Sequence, residues 1–432
     1  MAKLRERYQS TLDYLFGQLP MFQRIGPPAF KKGLGNITAL LEALQRPEQR
    51  FPAIHIAGTN GKGSLAHMLA AVLQASGYRT GLYVSPHYKD LRERIKVNGQ
   101  YVSKKFVIDF TEQHRALFDR VKPSFFEITV AMAFDYFASQ KVDVAVVETG
   151  LGGRLDSTNV LTPVLSVITN ISMDHQQFLG DTLPLIAFEK AGIIKPNVPV
   201  VIGEMQPETK PVFEEKAAEM KAPIFFADQF WQATWKAENL THSTYQLSKE
   251  GKIVYADLEA NLHGAFQLKN LQTLAQSVEC LQPHFNINAQ SFQNGLFHLK
   301  TLTKFIGRWQ VLGENPTIIC DSAHNEGGLR ISLAQINQFP SRNLHIVFGT
   351  VNDKDLAPVL KLLPQKARYY FCKANIPRGM DAQKLQIQAR DAGLQGRHYV
   401  SVRRAFQAAK RNAAADDLIF VVGSIFVVAE VL

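Results

Sequence analysis

Two kinds of apolar spacing alternate along this chain. Short, predominantly apolar runs recur at 51–56, 80–84, 144–147, 165–169 and 198–202. Runs rich in Val and Ile, without strict alternation, fit strands covered on both faces, as in a parallel sheet between helix layers. Between them apolar residues return every three or four positions, as in 65–75 and at Leu40, Leu41 and Leu44, which share one helical face. Residues 1–50 read as helical, with loops at Gly26-Pro27-Pro28 and at 31–36. Over 230–260 the texture changes: 244–247 and 252–255 flank Glu250-Gly251 as a β-hairpin, with helices expected over 267–281 and 289–299. Strand–helix alternation resumes with strands at 317–320, 344–348, 367–372 and 418–422. The fold class is therefore α/β, with a parallel-sheet domain over 1–302 and a smaller Rossmann-like α/β domain over 303–432.

Polar residues gather where the apolar runs stop, at the carboxyl edge where open parallel sheets bind ligands. The run 51–56 leads through Ala57 into Gly58-Thr59-Asn60-Gly61-Lys62-Gly63-Ser64 and then into the helical stretch 65–75. Strand, glycine-rich turn and helix make a phosphate-binding loop: backbone N–H groups turn inward and the helix N-terminus adds positive potential. The spacing departs from G-x-x-x-x-G-K-[ST], because two residues separate Gly58 from Gly61 and Gly63 stands between Lys62 and Ser64. Lys62 is placed to reach the outer phosphates, and the Ser64 hydroxyl to sit on Mg²⁺. A nucleoside triphosphate is the expected ligand, which makes the first domain P-loop ATPase in type.

Further strand ends carry Ser85, before Pro86-His87, then Glu148, and then Asp174-His175. Each has a plain explanation alone: a turn cap, a surface carboxylate, a loop histidine bonded to backbone. Together, beside Lys62 and Ser64, they form a wall rich in oxygen and imidazole. Mg²⁺ prefers few protein ligands plus phosphates and water, so Ser64, Ser85 and Glu148 fit one ion, and His175 a second. Lys190, in Phe188-Glu189-Lys190-Ala191-Gly192 on an expected helix, is on its own better explained as a snorkelling lysine. Asp321 ends a strand in Cys320-Asp321-Ser322-Ala323-His324-Asn325, where it suits a turn and Asn325 a helix N-cap. Arg308, in Ile306-Gly307-Arg308-Trp309 at the expected domain junction, suits either closure over phosphates or a bridge between two surfaces.

Composition narrows the class of protein. The 432 residues are 46% hydrophobic and 20% charged, a globular profile, and no apolar run approaches the ~20 residues of a membrane span. The N-terminus is charged without an apolar core behind it, so no signal peptide is expected. Three dispersed cysteines, Cys280, Cys320 and Cys372, exclude a C-x-x-C knuckle and argue for a reducing, cytoplasmic setting. The net charge of +10 is spread out, densest over 89–105, where a solvated surface and an anion-attracting rim remain equal readings. Clustered basic residues interleaved with aromatics, which a nucleic-acid-binding module needs, are not found.

The phosphate-loop motif, Ser85-Pro86-His87, ETGLGGRLDSTN over 148–159, Asp174-His175, Glu189-Lys190-Ala191-Gly192-Ile193 and Asp321-Ser322-Ala323-His324-Asn325 resemble the folylpolyglutamate synthase/dihydrofolate synthase family of the Mur ligase superfamily. The likeness runs through nearly the whole chain in order. It implies an ATP-dependent amide ligase that adds L-glutamate to dihydropteroate or to a reduced folate through an acyl phosphate. By the same resemblance Asn60, Gly61, Lys62, Gly63, Asn270, Arg308 and Asp321 hold ATP. Ser64, Ser85 and Glu148 ligate one Mg²⁺, and His175 the other. Lys190 matches a lysine carbamylated in the family, so Lys62, His175 and Lys190 form the implied catalytic set. The pterin-bearing substrate is implied at Gly33, Leu34, Gly35 and Asn36, at Ser124, Phe125, Phe126 and Glu127, and at Leu155, Asp156 and Ser157. The resemblance allows a monovalent cation and implies a monomer without nucleic-acid or membrane partners. A peptidoglycan-precursor ligase shares the chemistry, but such enzymes usually carry a further domain ahead of the loop, and only 57 residues precede Gly58.

Overall fold

The computed structural model describes residues 2–17, 33–238, 241–337, 339, 341–352 and 356–432. The expected loop at Gly26-Pro27-Pro28, with Lys31 and Lys32, lies outside the described residues. The chain divides into two compact units. One comprises Met1–Ala237, His242–Asn261 and Gln267–Lys304; the other comprises Glu238–Thr241, Leu262–Phe266 and Phe305–Leu432.

The first unit is built on an eight-stranded sheet of β1 (Ala53–Ala57), β2 (Thr80–Tyr83), β3 (Ile95–Val97), β4 (Gln100–Tyr101), β5 (Val144–Glu148), β6 (Leu165–Ile168), β7 (Val200–Ile202) and β8 (Ile224–Phe226). Their order is β4-β3-β2-β5-β1-β6-β7-β8. From β2 to β8 along this order neighbours run parallel, and the β2–β3 and β3–β4 pairs are antiparallel. Every residue of β1, β2, β5 and β6 is buried, so helices must cover both faces. On one face Ala53, Ala145 and Val147 pack with Ile37, Leu40, Ile128 and Phe134, while Ala57, Ile168, Val200 and Ile202 pack with Ile186, Ala187 and Phe213. The helix Lys62–Ala75 is buried all round from Ser64 to Leu73, because it touches β1, β2 and β5 and is itself packed against Gln267–Leu281 and Ala289–Phe297. A helix buried on every side in this way belongs to the core.

A three-stranded antiparallel sheet follows, β9 (Trp231–Glu238), β10 (Ser243–Lys249) and β11 (Lys252–Ala260), ordered β11-β10-β9. Glu250 and Gly251 both take positive φ at its hairpin, the backbone that a tight two-residue turn requires. The second unit holds β12 (Gln310–Glu314), β13 (Thr317–Cys320), β14 (Leu344–Phe348), β15 (Arg368–Cys372), β16 (Gly396–Tyr399) and β17 (Leu418–Val422), ordered β12-β13-β17-β14-β15-β16. All its pairs are parallel except β12–β13.

Several expectations need correction. The strand read over 198–202 begins at Val200, since Pro199 has no N–H to give the ladder. The helix read over 289–299 stops at Phe297, and Leu299–Thr303 forms a separate one. Strands β3, β4, β8, β9, β12 and β16 escaped the pattern; β16 reads Gly-Arg-His-Tyr and β9 is exposed at most positions, so neither has an apolar run. The segments Glu238–Thr241 and Leu262–Phe266 join the second unit, which a single cut at residue 302 does not express. Among the described residues, no helix is long and apolar enough to cross a membrane.

Candidate active site at the phosphate loop

Adjacent strand ends bring the candidate groups together. In the order β2-β5-β1-β6, the carboxyl ends carry Ser85, Glu148, the phosphate loop and the loop after Ile168. The loop's two leading glycines are there for space and for backbone. A Cβ on Gly58 (φ 140) would lie 1.9 Å from Thr169 Oγ1, and one on Gly61 (φ 86) would lie 2.4 Å from Asn270 Oδ1. Asn270 is held by its own amide, which donates to Gln267 Oε1 at 2.9 Å. Helix Lys62–Ala75 then starts with its first N–H groups aimed out of the sheet edge.

The loop is braced from β6. Asn60 N–H donates to Asn170 Oδ1 (3.0 Å), and Thr59 N–H to the Asn170 carbonyl (2.9 Å). Asn60 Nδ2 reaches Ser172 Oγ (3.1 Å), while Thr59 Oγ1 accepts from Ser172 N–H (3.0 Å). Thr169 Oγ1 donates to the Asn60 carbonyl at 2.6 Å. These bracing groups, Thr169, Asn170 and Ser172, were missed as functional positions; the polar run after the 165–169 strand was their only signal. Three residues on, His175 stands in left-handed backbone (φ 50), with its N–H on Asp174 Oδ1 at 2.9 Å and its ring nitrogen Nε2 4.0 Å from Asp174 Oδ2.

Glu148 is buried and links two candidates directly. Its Oε2 accepts from Ser85 N–H at 3.1 Å, and its two oxygens lie 3.6 and 3.7 Å from where a Gly63 Cβ would stand. Ser85, Glu148 and the Gly63–Ser64 turn are thus neighbours. A carboxylate with two hydroxyls is a hard-oxygen donor set that suits Mg²⁺ sharing phosphate and water ligands. Among the described residues, no group of three or more His, Cys, Asp and Glu could hold a metal, so any site here depends on such hydroxyls and on substrate oxygens.

Lys190 overturns its surface reading. It is 3% exposed, on helix Leu183–Ala191, and its Nζ donates to the Gly58 carbonyl at 2.9 Å. Lys62 Nζ donates to the same carbonyl at 2.8 Å and to that of Thr59 at 3.1 Å. Two ammonium groups therefore meet at one oxygen. Burial, and then the Lys62 charge, pull Lys190 down to about 7, against weaker upward pulls from Asp174 and Asp156.

The expected substrate residues form a second group. Ser124 and Glu127 make a reciprocal cap on helix Phe125–Ser139: Ser124 N–H donates to Glu127 Oε2 (2.6 Å) and Glu127 N–H to Ser124 Oγ (3.2 Å). Asn36 Nδ2 also approaches Glu127 Oε2, at 3.4 Å. The Phe126 ring lies against Gly150, where a Cβ would be 2.5 Å from Cζ. Asp156 is buried, accepts from the N–H groups of Gly150, Leu151 and Thr158, and takes the Thr158 hydroxyl at 2.6 Å. Its oxygens shape the loop that bears Leu155 and Ser157. That same Thr158 hydroxyl meets His55 Nε2 at 2.8 Å, extending the chain into β1.

In the second unit Asp321 is buried at the end of β13. It accepts from Trp309 N–H (2.7 Å) and Ala323 N–H (2.8 Å). Trp309 takes positive φ there, so Asp321 fixes the turn that carries Arg308. Asn325 caps helix Glu326–Ile336 through Gly328 N–H at 2.9 Å.

A parallel sheet with a phosphate loop at its centre strand, followed by a second parallel α/β unit, is the arrangement of the Mur ligases. Two family models match accordingly: the Mur ligase middle domain over 56–276, and the Mur ligase glutamate ligase domain over 307–425. A dihydrofolate synthase/folylpolyglutamate synthase of Bacillus subtilis is 33% identical over 389 residues, covering 88% of each chain. The chain belongs to the folylpolyglutamate synthase/dihydrofolate synthase family of ATP-dependent ligases. Mycobacterium tuberculosis folylpolyglutamate synthase, solved with ADP and AMPPCP, superposes with a TM-score of 0.87 at 29% identity, over 98% of both chains. An Escherichia coli relative solved with DHPP and ADP gives 0.84 at 27% identity, over 98% of this chain and 96% of that one. A Haloferax volcanii protein named as a probable bifunctional folylpolyglutamate synthase/dihydropteroate synthase is 33% identical over 98% of this chain. The chain spans about half that relative's length (50%), and about half that of a Halobacterium salinarum protein of the same name (51%).

Proposed function

We propose that this chain joins L-glutamate to the carboxylate of a folate-type substrate, dihydropteroate or a reduced folate, at the expense of ATP. The observation that carries the reading is the meeting of Ser85, Glu148 and the phosphate loop on adjacent strand ends. A carboxylate does not acylate amines, because its leaving group would be oxide. In the proposed sequence its oxygen attacks the γ-phosphorus, ADP departs, and an acyl phosphate forms. The glutamate nitrogen then attacks the acyl carbon, loses a proton, and the C–O bond to phosphate breaks, leaving the amide.

Lys62, Asn60 and the N–H groups of Gly61 and Gly63 hold the triphosphate and offset the charge that moves with its γ-phosphoryl. Ser64, Ser85 and Glu148 would hold one Mg²⁺ and His175 another, supplying charge neutralisation at the phosphates. Asn270 abuts the loop at Gly61 and is assigned to the nucleotide; Arg308 and Asp321 are assigned to it by family likeness. The wall of Asn36, Ser124, Phe126, Glu127 and the Leu155–Ser157 turn receives the pterin-bearing acid, with Asp156 shaping the turn from behind.

Lys190 is proposed to act as a carbamate. A buried amine lowered to about 7 is available to add CO₂, with loss of a proton, and the product is an anion. That change turns the repulsion between Lys190 and Lys62 into attraction, which orients the Lys62 ammonium beside the phosphate loop. We place the enzyme in the cytoplasm as a monomer. The acyl phosphate is testable by labelling: heavy oxygen in the substrate carboxylate should appear in inorganic phosphate, one atom per turnover. Label remaining wholly in the folate product would refute the sequence.

A further inference from the structure

The phosphate loop is tied, through two buried side chains, to the point where the chain leaves the first unit. His67, one turn into the helix after the loop, places Nδ1 2.7 Å from the Gly63 carbonyl. A carbonyl can only accept, so Nδ1 carries the proton and Nε2 is the acceptor. Lys96 Nζ, on β3, stands 3.1 Å from Nε2 and donates to the Thr303 carbonyl at 2.9 Å. Lys96 is 3% exposed, and its ammonium lies 5.7 Å from the centre of the Tyr101 ring.

The rest of the β3–β4 hairpin closes on the same segment. At its turn Gly99 comes so near Leu302 that a Cβ would stand 2.1 Å from the Leu302 carbonyl. Lys304 stacks on the other cation's ring, Tyr101, at 4.6 Å, and its Nζ reaches Gln100 Oε1 at 3.4 Å. Thr303 and Lys304 are the last residues of the first unit before Phe305. Burying a lysine with no carboxylate in hydrogen-bond contact is costly, and packing alone would be served as well by methionine.

We propose that Lys96 and His67 are positioning residues that couple nucleotide binding at the loop to the ordering of the 299–304 segment leading into the second unit. The Gly63 carbonyl and the Ser64 N–H share one peptide plane. Phosphate drawn onto that N–H turns the plane, and His67 and Lys96 follow the carbonyl at its other end. Linkage makes the effect reciprocal: whatever orders the Thr303 carbonyl also favours the phosphate-ready loop.

The inference rests on nucleotide binding at this loop, so the test begins there. AMPPCP with Mg²⁺ is titrated into the full chain, and hydrogen exchange of peptides spanning 299–306 is followed at saturation. In the unaltered chain, exchange there should slow at least about fivefold on binding. Lys96→Met should weaken AMPPCP by about tenfold, and at saturation the protection over 299–306 should be lost while that of 58–66 remains. His67→Phe, which breaks the relay at its other joint and leaves the Thr303 bond in place, should do the same. Lys96→Arg, keeping the donors, should restore part of both effects. Thermal unfolding of each variant reports whether the fold is retained. Undiminished protection over 299–306 in folded Lys96→Met or His67→Phe would overturn the coupling. Absence of AMPPCP binding to the unaltered chain would instead overturn the proposed function.

Discussion

At the residue scale, Lys190 carries much of the proposed chemistry and the misreading of its local pattern as an exposed lysine. Its folded value of about 7 lies well below the 10.5 of an open lysine. Between those limits the unfolded chain binds a proton that the folded chain does not, so the unmodified protein should gain stability as pH climbs from about 7 toward 10. Urea unfolding in CO₂-free buffer checks this, and Lys190→Met should flatten the slope. With bicarbonate present, the neutral amine that adds CO₂ is lost as pH falls through about 7, so turnover should fall there too. Lys190→Arg, which forms no carbamate, should lose that acid limb along with roughly 10²-fold in rate. A mass gain of one CO₂ on the Lys190 peptide under native conditions is the direct sign. The local run Phe188-Glu189-Lys190 favoured an exposed lysine, and only the family likeness marked this one; its contact with the Gly58 carbonyl comes from a segment 132 residues away. His55 was hidden for the same reason, because its partner Thr158 lies 103 residues away.

Elements carry the part that was legible. Apolar runs gave β1, β2, β5, β6 and the strands of the second unit's centre, because strands buried on both faces leave no polar alternative. Ser124 and Glu127 were marked through the family likeness as substrate residues, and the reciprocal cap they make appears only in the structure. Edge strands were not visible, since β4 and β16 are held by neighbours and not by their own apolar content, and β3 is only three residues long. The phosphate loop was read from its glycines, but not why they are needed. Gly58→Ala must push Thr169 aside and should cost more than ~2 kcal/mol in urea unfolding. Thr169→Ala in the same chain removes the clashing hydroxyl, so the double substitution should cost less than the sum of the two singles. Strict additivity would show that the packing against Thr169 does not set the loop.

Across the whole molecule, the order of motifs along the chain fixed the family likeness, while the three-dimensional grouping had to come from the sheets. Strand order β2-β5-β1-β6 turns positions 85, 148, 58–64 and 170–175 into neighbours, which no local pattern states. The +10 charge fits the polyanionic substrates proposed. The most direct measurement is ADP release by the purified full chain with ATP and Mg²⁺, supplied with dihydropteroate or tetrahydrofolate, with and without L-glutamate. Release that requires both the pterin acid and glutamate, with matching formation of the amide and its loss in Lys62→Ala, is the predicted result. ADP release indifferent to glutamate with either pterin, or undiminished in Lys62→Ala, would contradict the account.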